Sequence, residues 1–139
     1  MANGTNGWSA RGGFDRADKD GNVMIAFYVY HMDQPKDHGD FWRWTIGNRG
    51  LLKPDHWYCI EQYIKLNTPG KRDGVLRGWV DGQLAFEKSD IRFRSTRDLR
   101  IEDVWMELYY GGAPVAKKDH HMYVDDVVIS EKRVGPERR

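Results

Sequence analysis

The fold of this chain is decided by residues 57–82, WYCIEQYIKLNTPGKRDGVLRGWVDG. In the first half of this stretch, apolar side chains at alternate positions point one way, whereas Glu61 and Lys65 point the other. A period of two is the signature of a half-buried strand, and Pro-Gly and Asp-Gly turn residues separate it from a second β-rich run. The stretch therefore predicts a long β-hairpin. The Asp-Gly pair at 81–82 predicts a second tight turn, from which the chain returns as a strand over 83–87.

The rest of the chain has the same character, with short β-rich runs between turn residues and no convincing helix. Further strands are predicted over residues 8–14, 23–31, 41–46, 91–94, 101–110 and 122–130. Eight or nine short strands of this kind are typical of an all-β antiparallel sandwich or jelly roll, of the concanavalin-like type. We expect a single domain over residues 1–132, followed by a basic, flexible tail over 133–139.

The most hydrophobic run, VMIAFYVYH at residues 23–31, shows which side chains face the core. Alternation puts Val23, Ile25, Phe27 and Val29 on one face, which is the better core face. Tyr28 and Tyr30 therefore share the less apolar face, and His31 points away from them.

Composition excludes several classes of function. The chain has 139 residues, with 22 Lys and Arg against 21 Asp and Glu, so its net charge of +1 argues against a dedicated nucleic-acid binder. No apolar run approaches the roughly 20 residues needed to span a bilayer, and no signal peptide follows Met1. Cys59 is the only cysteine, which rules out an intrachain disulfide. The aromatic content of 13%, with six Trp, fits either a surface that stacks on sugars or the ordinary composition of a sandwich.

Motifs for metals and for hydrolytic catalysis are weak. Residues 15–22, DRADKDGN, resemble a calcium loop in their Asp spacing, but Arg16 stands where an acidic ligand is needed, so a hairpin loop is favoured. The cluster at 119–121, Asp-His-His, lacks a further ligand at a spacing that would close a metal site. Glu61 and Glu107 are candidate glycosidase acids, but closely spaced carboxylates on one strand are missing. We predict no metal and no cofactor.

Several motifs, taken in order, resemble the polysaccharide lyases of the alginate and glucuronan lyase type. They are NGWSAR at 6–11, YVYH at 28–31, the hairpin at 57–82, YGG at 110–112 and YVDDV at 123–127. The resemblance covers nearly the whole chain. It implies a β-jelly roll whose concave sheet forms a groove for an acidic polysaccharide, such as alginate or another uronate polymer, which is cleaved by β-elimination.

The resemblance also implies site residues. In these lyases a Ser-x-Arg pair and a Tyr-x-Tyr pair line the cleft, and one tyrosine takes part in proton transfer; the matching residues here are Ser9, Arg11, Tyr28 and Tyr30. An arginine suits the neutralisation of a uronate carboxylate, because its planar fork binds a carboxylate through two hydrogen bonds. Ser9 would hold a sugar hydroxyl or orient the arginine. Further candidates for substrate contacts are His31, Arg43, Glu61, Lys65, Arg77 and Trp79.

One departure from the family pattern leaves alternatives open. The family places a Gly-Lys-Leu-Pro-Gly-like stretch, with a functionally important lysine, before residues 6–11, and this chain begins too late to contain it. The chain is then a fragment or a short homologue with altered or lost activity, extracellular or periplasmic if its full-length form resembles secreted lyases. The second hypothesis is a non-catalytic carbohydrate-binding module, which the missing lysine stretch favours for this chain. The third is a structural sandwich that forms homo-oligomers through an exposed sheet edge.

Overall fold

The computed structural model describes residues 1–15, 18–45, 51–111, 115–116 and 119–136, and every regular element in these ranges is a β-strand. The strands are β1 (Ser9–Asp15), β2 (Val23–Tyr30), β3 (Asp40–Arg43), β4 (Leu51–Leu52), β5 (Ile60–Lys65), β6 (Gly74–Val80) and β7 (Gln83–Ile91). They form two antiparallel sheets. The first sheet has the order β1-β2-β3, with β4 also paired to β2, and the second has the order β5-β6-β7. The all-β prediction is confirmed.

The predicted hairpin is present as β5 and β6, which pair from Ile60 opposite Val80 to Lys65 opposite Val75. The turn from β6 to β7 has positive φ at both Asp81 (49°) and Gly82 (79°). Two consecutive left-handed residues are the mark of a type I′ turn, whose twist matches that of the flanking strands. The returning strand continues to Ile91 and so includes the start of the strand predicted over 91–94.

The hydrophobic core lies between the two sheets. Ile25, Phe27 and Val29 of β2 are at most 1% exposed, as the alternation predicted, while Tyr28 and Tyr30 are half-buried on the other face of the strand. The remaining buried members of the core are Trp44, Leu52, Leu76, Val80, Ala85, Ile91 and Phe93. The two sheets therefore share one apolar layer, and each turns its second face outward.

The chain divides into two compact units, and the strands predicted over 101–110 and 122–130 are wrong. The first unit comprises residues 1–100 with the C-terminal residues from 133 onward, and the second comprises residues 101–132. No described residue of the second unit belongs to a strand, and its apolar side chains are exposed, including Trp105 at 75% and Tyr123 at 78%. Alternation alone does not make a strand, because its backbone groups also need a neighbouring strand for pairing. Nothing in the described residues forms a helix long and apolar enough to cross a membrane.

Gly78 of β6 lies directly against a buried ring, so Gly78→Ala is expected to destabilise the protein. An added Cβ would lie 2.5 Å from Cη2 and 2.6 Å from Cε2 of Trp44, which is itself packed on Phe27 at 4.8 Å between ring centroids. Overpacking of a filled core costs about 1–3 kcal/mol. Urea unfolding measures this cost as a lower transition midpoint.

The matched control for that substitution is Gly13→Ala. Gly13 also lies in a strand, but the nearest atom to its added Cβ is 3.8 Å away, which is ordinary van der Waals contact. This variant is expected to be neutral or slightly more stable than the natural protein, because alanine restricts the unfolded chain. Equal unfolding midpoints for the two variants would contradict the close packing of Gly78 on Trp44.

Candidate functional site

Pairing of β1 with β2 brings together two of the sequence motifs. Ser9 lies opposite Tyr30 and Arg11 lies opposite Tyr28 in the antiparallel register. Because side chains alternate along a strand, and because Phe27 and Val29 point into the core, these four residues lie on the outward face of the first sheet. We call this surface the tyrosine face. It also carries Phe41 of β3, which lies opposite Tyr28.

The centre of the tyrosine face is a cation beside two phenols. The Arg11 guanidinium carbon lies 5.1 Å from the centroid of the Tyr28 ring and 5.4 Å from that of Tyr30, within cation–π range. The two rings meet edge to face, 5.5 Å apart and at 89°. Their hydroxyl oxygens are 3.5 Å apart. Arg11 is exposed, so its guanidinium is open to an anionic ligand from solvent.

The hydrogen bonds of the pair divide the two phenols into different roles. The backbone N–H of Gly39 donates to Tyr28 Oη at 3.0 Å, and the two hydroxyls lie close enough to share a hydrogen bond in which either oxygen can donate. This hydrogen bond, with a further contribution from the Arg11 charge, lowers the pKa of Tyr30. The same hydrogen bond, together with burial, raises the pKa of Tyr28. Tyr30 therefore ionises first, and Tyr28 keeps its proton.

Two other predicted residues lie on the tyrosine face without joining this cluster through hydrogen bonds. The Ser9 hydroxyl oxygen is buried and has no hydrogen-bond partner among the described residues. Arg43 lies opposite Ala26, and its side chain is 65% exposed, with one guanidinium nitrogen 3.9 Å from a carboxylate oxygen of Asp15. Arg43 is thus a second solvent-exposed cation on the same face as Arg11.

His31 lies on the opposite side of the first sheet from the tyrosines, as alternation predicted. It is 6% exposed, and its Nε2 is 2.8 Å from Asp40 Oδ2. Together they line a small cavity of about 190 Å³ at the edge of the core. The other lining residues are Asp33, Trp42, Arg72, Lys88, Asp90 and Ile91. His31 does not reach the tyrosine face.

The remaining predicted substrate contacts lie on the outer face of the second sheet, across the core from the tyrosine face. Glu61 of β5 is opposite Trp79, and Lys65 lies further along β5 on the same face of the sheet. Glu61 accepts hydrogen bonds from Arg133 Nε (3.2 Å) and from the backbone N–H of Val134 (2.9 Å). The Arg133 guanidinium lies over Trp79, which is only 9% exposed.

Arg77 is also on the outer face of the second sheet, where it donates to Glu87 at 2.9 Å and lies over the ring of Tyr63. The structure therefore does not bring Glu61, Lys65, Arg77 and Trp79 together with the tyrosine pair. Alternation within a hairpin shows which residues share a face, but the packing of the two sheets decides where that face lies.

The structure also reveals functional candidates that the sequence did not indicate. The Gly39 amide is a backbone group between the strands predicted over 23–31 and 41–46, and such a group has no sequence signature. Asp40, the partner of His31, lies just before the strand predicted over 41–46 and is the first residue of β3. A weak signal for it was available, because a histidine at the end of one strand and an acid at the start of the next often pair across the hairpin.

The described residues offer no metal site and no activated thiol. No group of three or more His, Cys, Asp or Glu side chains among them is arranged to hold a metal ion. His120 instead stacks on Tyr110, with ring centroids 5.4 Å apart. Burial, with the nearby charges of Glu61 and Asp81, raises the pKa of the Cys59 thiol, which makes it a poor nucleophile at neutral pH.

The tyrosine face thus places a guanidinium beside two phenols on an open sheet face, and comparison with known families identifies the class of protein. The family model Polysaccharide lyase 14 matches residues 3–127, which is most of the chain, and the chain belongs to that family. The match spans β1 to β7 and includes the four residues of the Ser-x-Arg and Tyr-x-Tyr motifs. No curated protein and no solved structure gives a significant match.

Proposed function

We propose that this protein cleaves a uronate-containing acidic polysaccharide, of the alginate or glucuronan kind, by β-elimination. The observation that carries the proposal is the Arg11 guanidinium against the Tyr28–Tyr30 pair on an exposed face, in a chain of the polysaccharide lyase 14 family. On this proposal the two sheets are part of a jelly roll, and the tyrosine face is its concave groove. Arg43, an exposed cation on the same face, extends the groove to a neighbouring sugar.

The reaction assigns one task to each member of the cluster. Arg11 binds the carboxylate at C5 of the uronate ring and stabilises the negative charge that develops there. The Tyr30 phenolate removes the C5 proton, and the electron pair of the C5–H bond becomes the C4=C5 double bond. The C4–O bond to the neighbouring sugar breaks, and Tyr28 gives its proton to the leaving oxygen. The opposite pKa shifts of the two phenols support this division of acid and base.

The test is an assay on a panel of polymers. The protein is incubated with polymannuronate, polyguluronate and glucuronan, and the ultraviolet absorbance of the unsaturated product is followed. Absorbance that grows with time on at least one polymer supports the proposal. Binding by affinity electrophoresis without turnover would indicate a non-catalytic carbohydrate-binding module instead. Neither turnover nor binding with any uronate polymer would contradict both carbohydrate functions.

Arg11→Lys is expected to lower kcat/KM about 10- to 100-fold, because lysine keeps the charge but cannot bind a carboxylate through two parallel hydrogen bonds. The loss is measured as the initial rate at low polymer concentration. Arg77→Lys is the matched control, since Arg77 is an arginine in a strand on the outer face of the second sheet. It is expected to leave kcat/KM unchanged. An equal loss in the two variants would mean that the groove is not on the tyrosine face.

A further inference from the structure

The loop between β2 and β3 is held in place by the buried side chain of His31, whose tautomer can be assigned from its hydrogen-bond partners. His31 Nδ1 lies 3.3 Å from the backbone nitrogen of Asp33, whose N–H donates to it. Nδ1 is thus an acceptor and carries no proton, so the proton is on Nε2, which donates to Asp40 Oδ2 at 2.8 Å. This is a bond between a nearly buried ring and a carboxylate that is 26% exposed, at the first residue of β3.

The residue before Asp40 makes the only backbone contact described for the Tyr28 hydroxyl. The Gly39 N–H donates to Tyr28 Oη at 3.0 Å. Gly39 is also pressed closely on β2, because a Cβ at this position would lie 2.8 Å from the Val29 carbonyl oxygen and 3.1 Å from the Tyr30 ring. The position of this amide is therefore set by how tightly the start of β3 is held against the end of β2.

We propose that His31 and Asp40 are positioning residues for the tyrosine pair, because their hydrogen bond holds the Gly39 amide on Tyr28 Oη. The inference rests on the proposed function in one respect, which is that Tyr28 and Tyr30 are the acid and base of the reaction. His31 and Asp40 lie on the core side of the first sheet and the tyrosines on the other, so the connection runs through the backbone of residues 39 and 40. Neither residue touches substrate in this arrangement.

The charged groups around the pair leave Asp40 as the acceptor for His31. Asp33, another carboxylate that lines the cavity with His31, is engaged by Arg92 and by Arg72, whose Nη1 is 3.1 Å from Asp33 Oδ2. These two arginines, with Arg92 dominant, lower the pKa of Asp33. On β7 of the second sheet, the Lys88 amine lies over Trp42 and 3.9 Å from Asp90. The charged side chains around His31 and Asp40 are thus paired with one another.

The test uses variants of Asp40 and a readout that does not depend on activity. Asp40→Ala removes the acceptor for His31, whereas Asp40→Asn keeps an oxygen in place. Asp37→Ala removes the same charge from an exposed position in the same loop and is the matched control. The tyrosine ring carbons are labelled and titrated by NMR, with the Tyr30 signal assigned from Tyr30→Phe. Asp40→Ser, whose side chain is too short to reach His31, repeats the test if Asp40→Ala does not fold.

In Asp40→Ala the titration of Tyr30 is expected to move to higher pH, because the phenol pair loses the Gly39 N–H, a donor that favours the Tyr30 phenolate, and kcat is expected to fall about tenfold with little change in KM. Asp40→Asn and Asp37→Ala are expected to titrate as the natural protein does. An unchanged Tyr30 titration in folded Asp40→Ala, or an equal shift in Asp37→Ala, would overturn the inference. If the protein cleaves no uronate polymer but the Tyr30 titration shifts as expected, the proposed function fails and the positioning role stands.

Discussion

Tyr30→Phe is expected to lower kcat for polymer cleavage by at least about 100-fold, which is the lower end of what a positioned general base contributes. The substitution removes one oxygen and keeps the ring, so the edge-to-face packing on Tyr28 and the contact with Arg11 are retained. Arg11 still binds the carboxylate, so KM is expected to change little. Steady-state kinetics on the preferred polymer measure both quantities.

Two controls make this result specific to the tyrosine face. Tyr63→Phe removes the same oxygen from a half-exposed tyrosine under Arg77 on the outer face of the second sheet, and it is expected to keep full activity. The pH profile of the natural protein provides the second control. Tyr30 is active as the phenolate, so kcat/KM rises with pH as Tyr30 ionises, and it falls again where Tyr28 loses its proton. A Tyr30→Phe variant with the activity and rising limb of the natural protein would remove Tyr30 from the role of base.

Asn67→Ala is expected to destabilise the first unit by about 3 kcal/mol or more, because it leaves several buried or part-buried backbone groups without the partner that Asn67 supplies. The Asn67 side chain is fully buried. Its Oδ1 accepts from the backbone N–H groups of Phe93 (2.8 Å) and Arg94 (2.9 Å). Its Nδ2 donates to the carbonyl oxygens of Thr68 (3.0 Å), Lys71 (3.1 Å) and Arg94 (2.9 Å). One amide thus joins the turn between β5 and β6 to the segment that follows β7.

Urea unfolding of Asn67→Ala measures the loss, and two further variants show its cause. Asn22→Ala removes an amide that donates to Asp18 in the surface hairpin between β1 and β2, and it is expected to cost less than about 1 kcal/mol. Asn67→Asp keeps an acceptor for the two N–H groups but turns a second oxygen toward three carbonyls, so it is expected to be strongly destabilising as well. If Asn67→Ala unfolds at the same urea concentration as Asn22→Ala, the network does not hold the turn.

The elements that sequence predicted well are those whose cause is local. The hairpin of β5 and β6 follows from alternation and from turn residues within one stretch, and the Asp-Gly pair at 81–82 takes up the left-handed backbone that only such residues adopt readily. The same reasoning gave the core face of β2 and hence the shared face of Tyr28 and Tyr30. The Ser-x-Arg and Tyr-x-Tyr motifs lie on one face because side chains alternate with a period of two in both strands. Residues that are opposite each other in an antiparallel pair therefore point to the same side.

The features that sequence did not predict depend on contacts between distant segments. Glu61 and Trp79 are candidate substrate contacts by sequence. Their face of the second sheet lies on the other side of the core from the tyrosine face, and there Arg133 covers Trp79. Residues 101–110 also alternate, but none of them belongs to a strand in the structure, because alternation does not supply the partner that backbone pairing needs. The contact of the Gly39 amide could not be predicted from sequence, because every residue except proline has a backbone N–H. Only the folded structure shows which N–H donates to a functional oxygen.

The measurement that tests the central claim most directly is the mass of the products formed in water labelled with ¹⁸O. Elimination breaks the C4–O bond without adding water, so the masses of the fragments are expected to sum to the mass of the substrate. On this account no label enters at the cleaved bond, and one fragment carries the C4=C5 double bond at its non-reducing end. Fragments that together gain one water for each bond cleaved, with label incorporated at the new end, would show hydrolysis and contradict the account.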